Sequence, residues 1–202
     1  MDLAKATFPN ANRITVSGSS AGGVGAAAFS PFLARFAYGN NTHLTVLNDA
    51  GPIAVNLNDV AGVDARAADW QFAQFYPASC TDCDAYGQPS AIIDWRLDND
   101  NSIREAFYET DGDATNRFFT QVPTQELYRL LILGVTDPLE MDHPDRFKRF
   151  IVSGDDSHTA LQGPLFYSQD ANGVPLNEWT NNFISPRKPF WIDIVEDFVQ
   201  LP

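Results

Sequence analysis

Ser20 lies at the centre of a Gly-x-Ser-x-Gly pattern, with Gly18 before it and Gly22 after it. A serine hydroxyl is by itself a poor nucleophile, so an enzyme that uses one places it beside a base and beside donors for the developing oxyanion. A sharp strand-to-helix turn provides this placement, and it requires small residues two positions on either side of the serine. The pattern therefore predicts Ser20 as a nucleophile and the backbone N–H of Ala21 as one oxyanion donor.

The residues around this turn supply the context that the pattern needs. Gly-x-Ser-x-Gly alone is a weak signal, because ordinary turns and phosphate-binding loops also use glycine and serine. Residues 13–16 favour a strand, and residues 21–28 are small and end in three alanines. We expect Gly23 and Gly25 to let this second segment, a helix, approach the sheet closely. A dinucleotide-binding turn is disfavoured, because Gly-x-Gly-x-x-Gly does not occur here.

His158 is the strongest candidate for the base that takes the proton from Ser20. It follows the strand predicted at residues 146–152, whereas His43 opens a strand and His143 precedes one. In open α/β sheets, sites form at the carboxyl ends of the strands. His158 is therefore predicted to meet Ser20 at that edge.

Three aspartates compete for the role of the acid that orients the histidine. Asp49 follows the strand predicted at residues 43–47, while Asp111 and Asp113 follow the strand predicted at residues 102–109. Aspartates in turns most often hydrogen-bond their own backbone, so position alone does not select one of them. The order serine, acid, histidine, each after a strand, is the order of the triad in an α/β-hydrolase.

The strands and helices that must position these residues alternate along the chain. This alternation predicts an α/β-hydrolase-like fold, with a mainly parallel sheet and flanking helices in a single domain over residues 1–202. Beyond the strands already named, helices are predicted at residues 3–8, 32–38, 60–74 and 125–133. One or two closing helices are predicted between residues 177 and 198. No internal repeat is present.

The composition limits the classes of partner. The chain of 202 residues has 44% hydrophobic residues, which is typical of a globular domain, and a formal net charge of −13. That charge repels phosphate backbones and anionic lipid, so nucleic-acid or membrane-surface binding is disfavoured. No apolar run is long enough to span a membrane, and residues 1–6 lack the regions of a signal peptide.

Cys80 and Cys83 form a Cys-x-x-Cys pair in a turn-rich segment. Such a pair can be a redox centre, half of a zinc site or a short disulfide. A zinc site needs two more ligands, and no histidine or further cysteine stands nearby in the sequence. We expect a structural disulfide or two ordinary thiols, and we predict neither a metal nor a cofactor.

Several segments together resemble the pectin acetylesterase and Notum family of serine carboxylesterases, especially its bacterial branch. The matching segments are residues 18–23 (GSSAGG), 48–51 (NDAG), 113–116 (DATN), 157–159 (SHT) and 177–179 (NEW). The resemblance extends from the start of the chain nearly to its end, and residues 18–23 are its most specific part. The family's acid stands in an Asp-Ser-Trp-Gln-like segment, so the resemblance selects Asp113 and puts Asn116 in the place of the glutamine.

This resemblance implies a serine carboxylesterase that removes a small acyl group, often acetyl from a polysaccharide, and that is secreted or periplasmic. Family members carry upstream strands and a glycine-rich loop that supply further oxyanion donors, and nothing comparable precedes Met1. We therefore expect a chain whose N-terminal strands are missing, which leaves the strand before Ser20 at an edge. The alternatives are an inactive, esterase-like binding module and, more remotely, a thiol redox protein built on Cys80 and Cys83.

Overall fold

Parallel strands form the main sheet in the computed structural model, which describes residues 1–83, 88–185 and 190–201. In the described residues this sheet has five strands, in the order β1-β2-β3-β4-β7, and every neighbouring pair is parallel. The strands are β1 (Arg13–Ser19), β2 (His43–Asp49), β3 (Ile103–Thr110), β4 (Phe147–Val152) and β7 (Ile194–Val195). A short antiparallel pair, β5 (Asp170–Ala171) with β6 (Val174–Pro175), lies outside this sheet.

Helices connect the strands and flank the sheet. They are α1 (Asp2–Thr7), α2 (Ala21–Ala28), α3 (Ser30–Tyr38), α4 (Val60–Trp70), a 3₁₀ turn (Phe72–Phe75), α5 (Pro89–Asn99), α6 (Ala114–Phe119), α7 (Gln125–Asp142), α8 (Leu165–Ser168) and α9 (Leu176–Ile184). Thr124 caps the start of α7, where its hydroxyl accepts the Leu127 N–H at 3.3 Å.

The core lies on both faces of the sheet, because successive residues of a strand point to opposite sides. On one face Phe107 packs in a cluster that includes Tyr128 of α7. On the other face Tyr108 and Phe150 pack in a cluster with Trp179 of α9. The predicted α/β class, with a mainly parallel sheet and flanking helices, is confirmed.

Most predicted elements match the structure, and several segments differ from the prediction. Of the one or two closing helices expected between residues 177 and 198, one is present as α9, and Ile194 and Val195 instead form β7 beside β4. The Asp193 carboxylate accepts the Arg149 N–H at 2.7 Å and its guanidinium at 2.7 Å, which holds this segment against the sheet edge. Helices α5, α6 and α8 and the β5–β6 pair were not predicted from the sequence, and α7 continues beyond the predicted residue 133 to Asp142.

Strand β1 pairs with β2 on one side, and no described strand pairs with its other side. Its residues alternate between exposed and half-buried until Gly18. The strand that leads to Ser20 is therefore an edge strand in the described structure. None of the helices in the described ranges is long and apolar enough to cross a bilayer.

Candidate active site

Ser20 occupies a sharp turn between β1 and α2, with φ 57° and ψ −125°. A positive φ is uncommon for a residue other than glycine, so neighbouring contacts must hold it. The Ser20 N–H donates to the Asp49 carbonyl at 2.8 Å, and the Ser20 carbonyl accepts the Gly23 N–H at 2.8 Å. This is the strained strand-to-helix turn that the sequence predicts.

Gly18 and Gly23 are the glycines that this turn requires. A Cβ on Gly18 would overlap the carbonyl group of Gly22. A Cβ on Gly23 would overlap Asn48 Oδ1 and lie 2.9 Å from the Cα of Gly51. Helix α2 therefore touches the end of β2 at a distance that only glycine allows.

Gly25 does not have the role that the sequence suggests. A Cβ on Gly25, or on Gly22, would meet no described atom within 4 Å. Gly22 is exposed, and it is the carbonyl of Gly22, rather than its α-hydrogen, that comes close to Gly18. The predictions of close approach at Gly22 and Gly25 are therefore wrong.

His158 contacts both of its predicted partners. Its Nε2 lies 2.7 Å from Ser20 Oγ, and its Nδ1 lies 2.6 Å from Asp113 Oδ2. In the tautomer with the proton on Nδ1, the ring donates to Asp113 and accepts from the serine hydroxyl. The His158 side chain is 22% exposed and that of Asp113 is fully buried, so the site opens to solvent on the histidine side. The predicted contacts among the three side chains are present.

Asp113 is positioned by the start of α6, which it caps. Its Oδ1 accepts the backbone N–H of Asn116 at 2.8 Å, which leaves Oδ2 for His158. The Asn116 side chain donates to the Ala50 carbonyl at 2.9 Å. Asn116 therefore lies directly behind the acid.

The two rival aspartates make structural contacts instead. Asp49 accepts the N–H groups of Ala160 and Leu161 at 2.9 and 3.1 Å, so it ties the chain after His158 to the end of β2. Asp111 is fully buried and accepts from Arg129 at 2.8 Å. Neither contacts His158.

The rival histidines also lie outside the site. His43 is exposed at the start of β2, at the opposite end of the strand from Asp49. His143 follows α7, and its Nε2 lies 3.0 Å from Asp94 Oδ1. Both positions agree with the prediction that favoured His158.

The N–H of Ala21 begins helix α2, and no described residue accepts it. Its position next to Ser20 is that of an oxyanion donor, because the positive end of the helix dipole also lies there. Within the described residues we find no cluster of three or more His, Cys, Asp or Glu side chains that could hold a metal ion.

A cavity of about 230 Å³ opens beside Ser20 and Ala21. Its wall is mainly apolar and includes Val24, Val55, Val63, Trp70, Phe72 and Phe119. The segment at residues 60–75, to which the sequence analysis assigned no chemistry, thus forms one side of the pocket. Its run of aromatic residues was the available signal, but nothing local connects it to Ser20.

Cys80 and Cys83 are joined by a disulfide. The bonded pair packs with Ala28 and Ile92, at the end of α2 and within α5. The expectation of a structural disulfide is confirmed, and the short loop that it closes lies beside the helix of the candidate nucleophile.

In comparisons with known proteins, no family model matches the chain and no curated protein matches it.

Proposed function

We propose that this protein is a serine ester hydrolase that works through an acyl-enzyme on Ser20. The observation that carries the proposal is the continuous chain of contacts from Ser20 Oγ to His158 Nε2 at 2.7 Å and from His158 Nδ1 to Asp113 Oδ2 at 2.6 Å. A serine, an imidazole and a buried carboxylate in this order are the groups that nucleophilic acyl transfer requires.

The reaction begins when Ser20 Oγ attacks the ester carbonyl carbon and its proton passes to His158 Nε2. The carbonyl oxygen becomes an oxyanion, which the Ala21 N–H stabilises. When the intermediate collapses, the bond to the alcohol breaks and the alcohol takes the proton from His158. A water molecule then attacks the acyl-enzyme while His158 takes its proton; the bond to Ser20 Oγ breaks, His158 returns the proton to Ser20 Oγ, and the carboxylic acid leaves. Asp113 stabilises the imidazolium that forms in both halves.

The cavity beside Ser20 indicates the size of the acyl group that the site can hold. The resemblance to pectin acetylesterases favours acetyl on a polysaccharide, and with it a secreted or periplasmic protein. A water molecule takes up about 30 Å³ in the liquid, so a cavity of about 230 Å³ exceeds what an acetyl group fills. Its apolar wall favours an acyl chain of several carbons, and we rank this above acetyl.

A fluorophosphonate reagent tests the nucleophile directly. We expect covalent labelling of the wild-type protein and none of Ser20→Ala, while Ser17→Ala serves as the control because Ser17 is an exposed serine on the same strand. Turnover of 4-nitrophenyl acetate, butyrate and octanoate then ranks the acyl chains. A well-folded protein without labelling contradicts the proposal.

The alternative is a non-catalytic binding module with the same fold. It is favoured by the fact that Ala21 supplies the one oxyanion donor identified in the described residues, since losing a donor typically costs about 10²–10³ in rate. Turnover that Ser20→Ala abolishes would eliminate this alternative. The disulfide between Cys80 and Cys83 gives little support to a thiol redox protein, because it packs in an apolar cluster away from the cavity wall.

A further inference from the structure

Glu109 is a fully buried carboxyl group close to the triad, and the mechanism above does not use it. It lies near the end of β3, four residues before Asp113. Its Oε2 accepts the Tyr128 hydroxyl at 2.8 Å, and its Oε1 accepts the N–H of Thr110 at 3.0 Å. A buried carboxyl group is costly unless it is paired, so these contacts require an explanation.

Asn116 connects Glu109 to the acid of the triad. Both N–H bonds of its side-chain amide are used, one toward Glu109 Oε2 at 2.9 Å and one toward the Ala50 carbonyl at 2.9 Å. Its backbone N–H donates to Asp113 Oδ1 at 2.8 Å. The position of the Asn116 backbone therefore determines how the Asp113 carboxylate is rotated toward His158.

The charge state of Glu109 follows from its surroundings. Burial, and next the negative charge of Asp113, raise the pKa of Glu109 well above its ordinary value. Burial and the same two carboxyl groups also raise the pKa of Tyr128, which therefore remains a donor. Asp113 and Tyr128 are the titratable groups that face Glu109 from α6 and α7. The raised pKa favours the protonated, uncharged form of Glu109.

We propose that Glu109 is a positioning residue, which together with Asn116 and Tyr128 holds the Asp113 carboxylate in contact with the His158 ring. The inference rests on the proposed function for its kinetic consequences, but the contact itself is measurable without any substrate. An uncharged Glu109 accepts from the Asn116 side chain without placing a second negative charge beside the acid. Glu109 and the Ala50 carbonyl thereby hold Asn116, and the Asn116 backbone N–H holds the Asp113 carboxylate.

The test compares Glu109→Ala with Glu109→Gln, and Tyr128→Phe with Tyr108→Phe. Tyr108→Phe is the matched control. Tyr108 is buried like Tyr128, but its hydroxyl, unlike that of Tyr128, has no hydrogen-bond partner among the described residues. The measurements are kcat and KM for a 4-nitrophenyl ester, the acid limb of the kcat/KM profile, and the proton NMR resonance of His158 Nδ1–H.

For Glu109→Ala we expect kcat to fall by roughly 10-fold to 100-fold with little change in KM, since a small misplacement of a catalytic group has this cost. The Nδ1–H resonance should lose its downfield position. Glu109→Gln keeps an uncharged group of similar shape whose oxygen can still accept from Asn116 and Tyr128, so it should restore most of both signals with the acid limb in place. Tyr128→Phe should weaken both signals, and Tyr108→Phe should not.

Two results would overturn the proposal. One is a folded Glu109→Ala, or a Tyr128→Phe, that matches the Tyr108→Phe control in kcat and in the resonance. The other is a Glu109→Gln whose acid limb moves to lower pH, because loss of a negative charge would make the imidazolium easier to deprotonate. If Glu109→Ala does not fold, the tyrosine pair decides. If the wild type has no turnover, the proposed function fails, while the resonance still tests the positioning role.

Discussion

At the level of single residues, three aspartates at the same edge of the sheet have different partners, and only one of them contacts the histidine. Asp113 faces His158, Asp49 binds the backbone after His158, and Asp111 pairs with Arg129. All three carboxylates lie at the carboxyl ends of parallel strands, so their roles differ through the direction in which each side chain points. This difference predicts different consequences for substitutions that are chemically identical.

Asp113→Asn should abolish most turnover while leaving the protein folded. An asparagine amide that donates to Nδ1 favours the tautomer with the proton on Nε2, which cannot take a proton from Ser20. In another serine hydrolase the equivalent change costs about 10⁴ in kcat. Asp111→Asn is the control, and it should cost about 1–3 kcal/mol of stability with kcat per folded molecule retained. Equal losses of kcat in both variants would contradict the assignment.

Glu109 also predicts how stability depends on pH. Its pKa is raised in the folded state, so the folded protein holds a proton that the unfolded chain releases above about pH 4.3. The contribution of Glu109 to stability is therefore complete below that pH and is lost as the pH rises toward the folded-state pKa.

Glu109→Gln removes this dependence. The melting temperature of the wild type, relative to that of Glu109→Gln, should decline as the pH is raised from about 4 toward the folded-state pKa of Glu109. Glu126→Gln, which removes an exposed carboxylate from α7, is the control for the loss of one charge. A difference that stays constant with pH would mean that Glu109 has the same protonation in both states.

At the level of elements, the contact between α2 and the end of β2 positions the nucleophile. This helix lies so close to the strand that Gly23 touches the Asn48 side chain and the Gly51 backbone. The Asn48 amide donates to the Gly51 carbonyl at 3.0 Å and its Oδ1 accepts the Gly51 N–H at 2.8 Å, so neither can easily move aside.

Gly23→Ala should therefore destabilise the protein and displace the Ser20 turn. We expect a loss of about 1–3 kcal/mol, as for other overpacked sites. Gly25→Ala, on the same helix with open space around the new Cβ, should be neutral or stabilising by up to about 1 kcal/mol. Urea unfolding of both variants measures the difference. Equal free energies of unfolding would show that the helix can move away from the strand without cost.

At the level of the whole molecule, two features have opposite effects on self-association: the edge of β1 that no described strand covers, and the net charge of −13. An edge strand exposes unpaired backbone groups that can pair with a second chain. Repulsion between two molecules of large negative charge opposes this pairing, and salt screens the repulsion within a Debye length of about 10 Å at 0.1 M.

Self-association of this chain should therefore increase with protein concentration and with salt. Ser17→Lys places a cation on the exposed face of the edge strand and should reduce the association. Ser168→Lys changes the charge equally at an exposed position on α8 and is the control. Sedimentation velocity at low and high salt measures the effect. Association that both variants reduce equally would point to net charge rather than to the edge of β1.

The regular elements could largely be predicted because their signals are local. Strands β1 to β4 are β-branched or aromatic runs, and the pattern around Ser20 defines its own turn. Helix α5 was missed because it is buried along more than one face, with Ile92, Arg96 and Leu97 all inside. Strand β7 was missed because its two residues become a strand only by pairing with β4.

The sequence by itself determined the order of strands and helices along the chain, the strained turn at Ser20, and the histidine that contacts this serine. Only the tertiary structure decided which carboxylate faces that histidine, that Glu109 lies behind it, and that residues 60–75 wall the cavity. The physical reason is distance along the chain. Turns, caps and alternation depend on neighbours in sequence, whereas hydrogen bonds such as that between Ser20 and His158 join groups that only the packed sheet brings together.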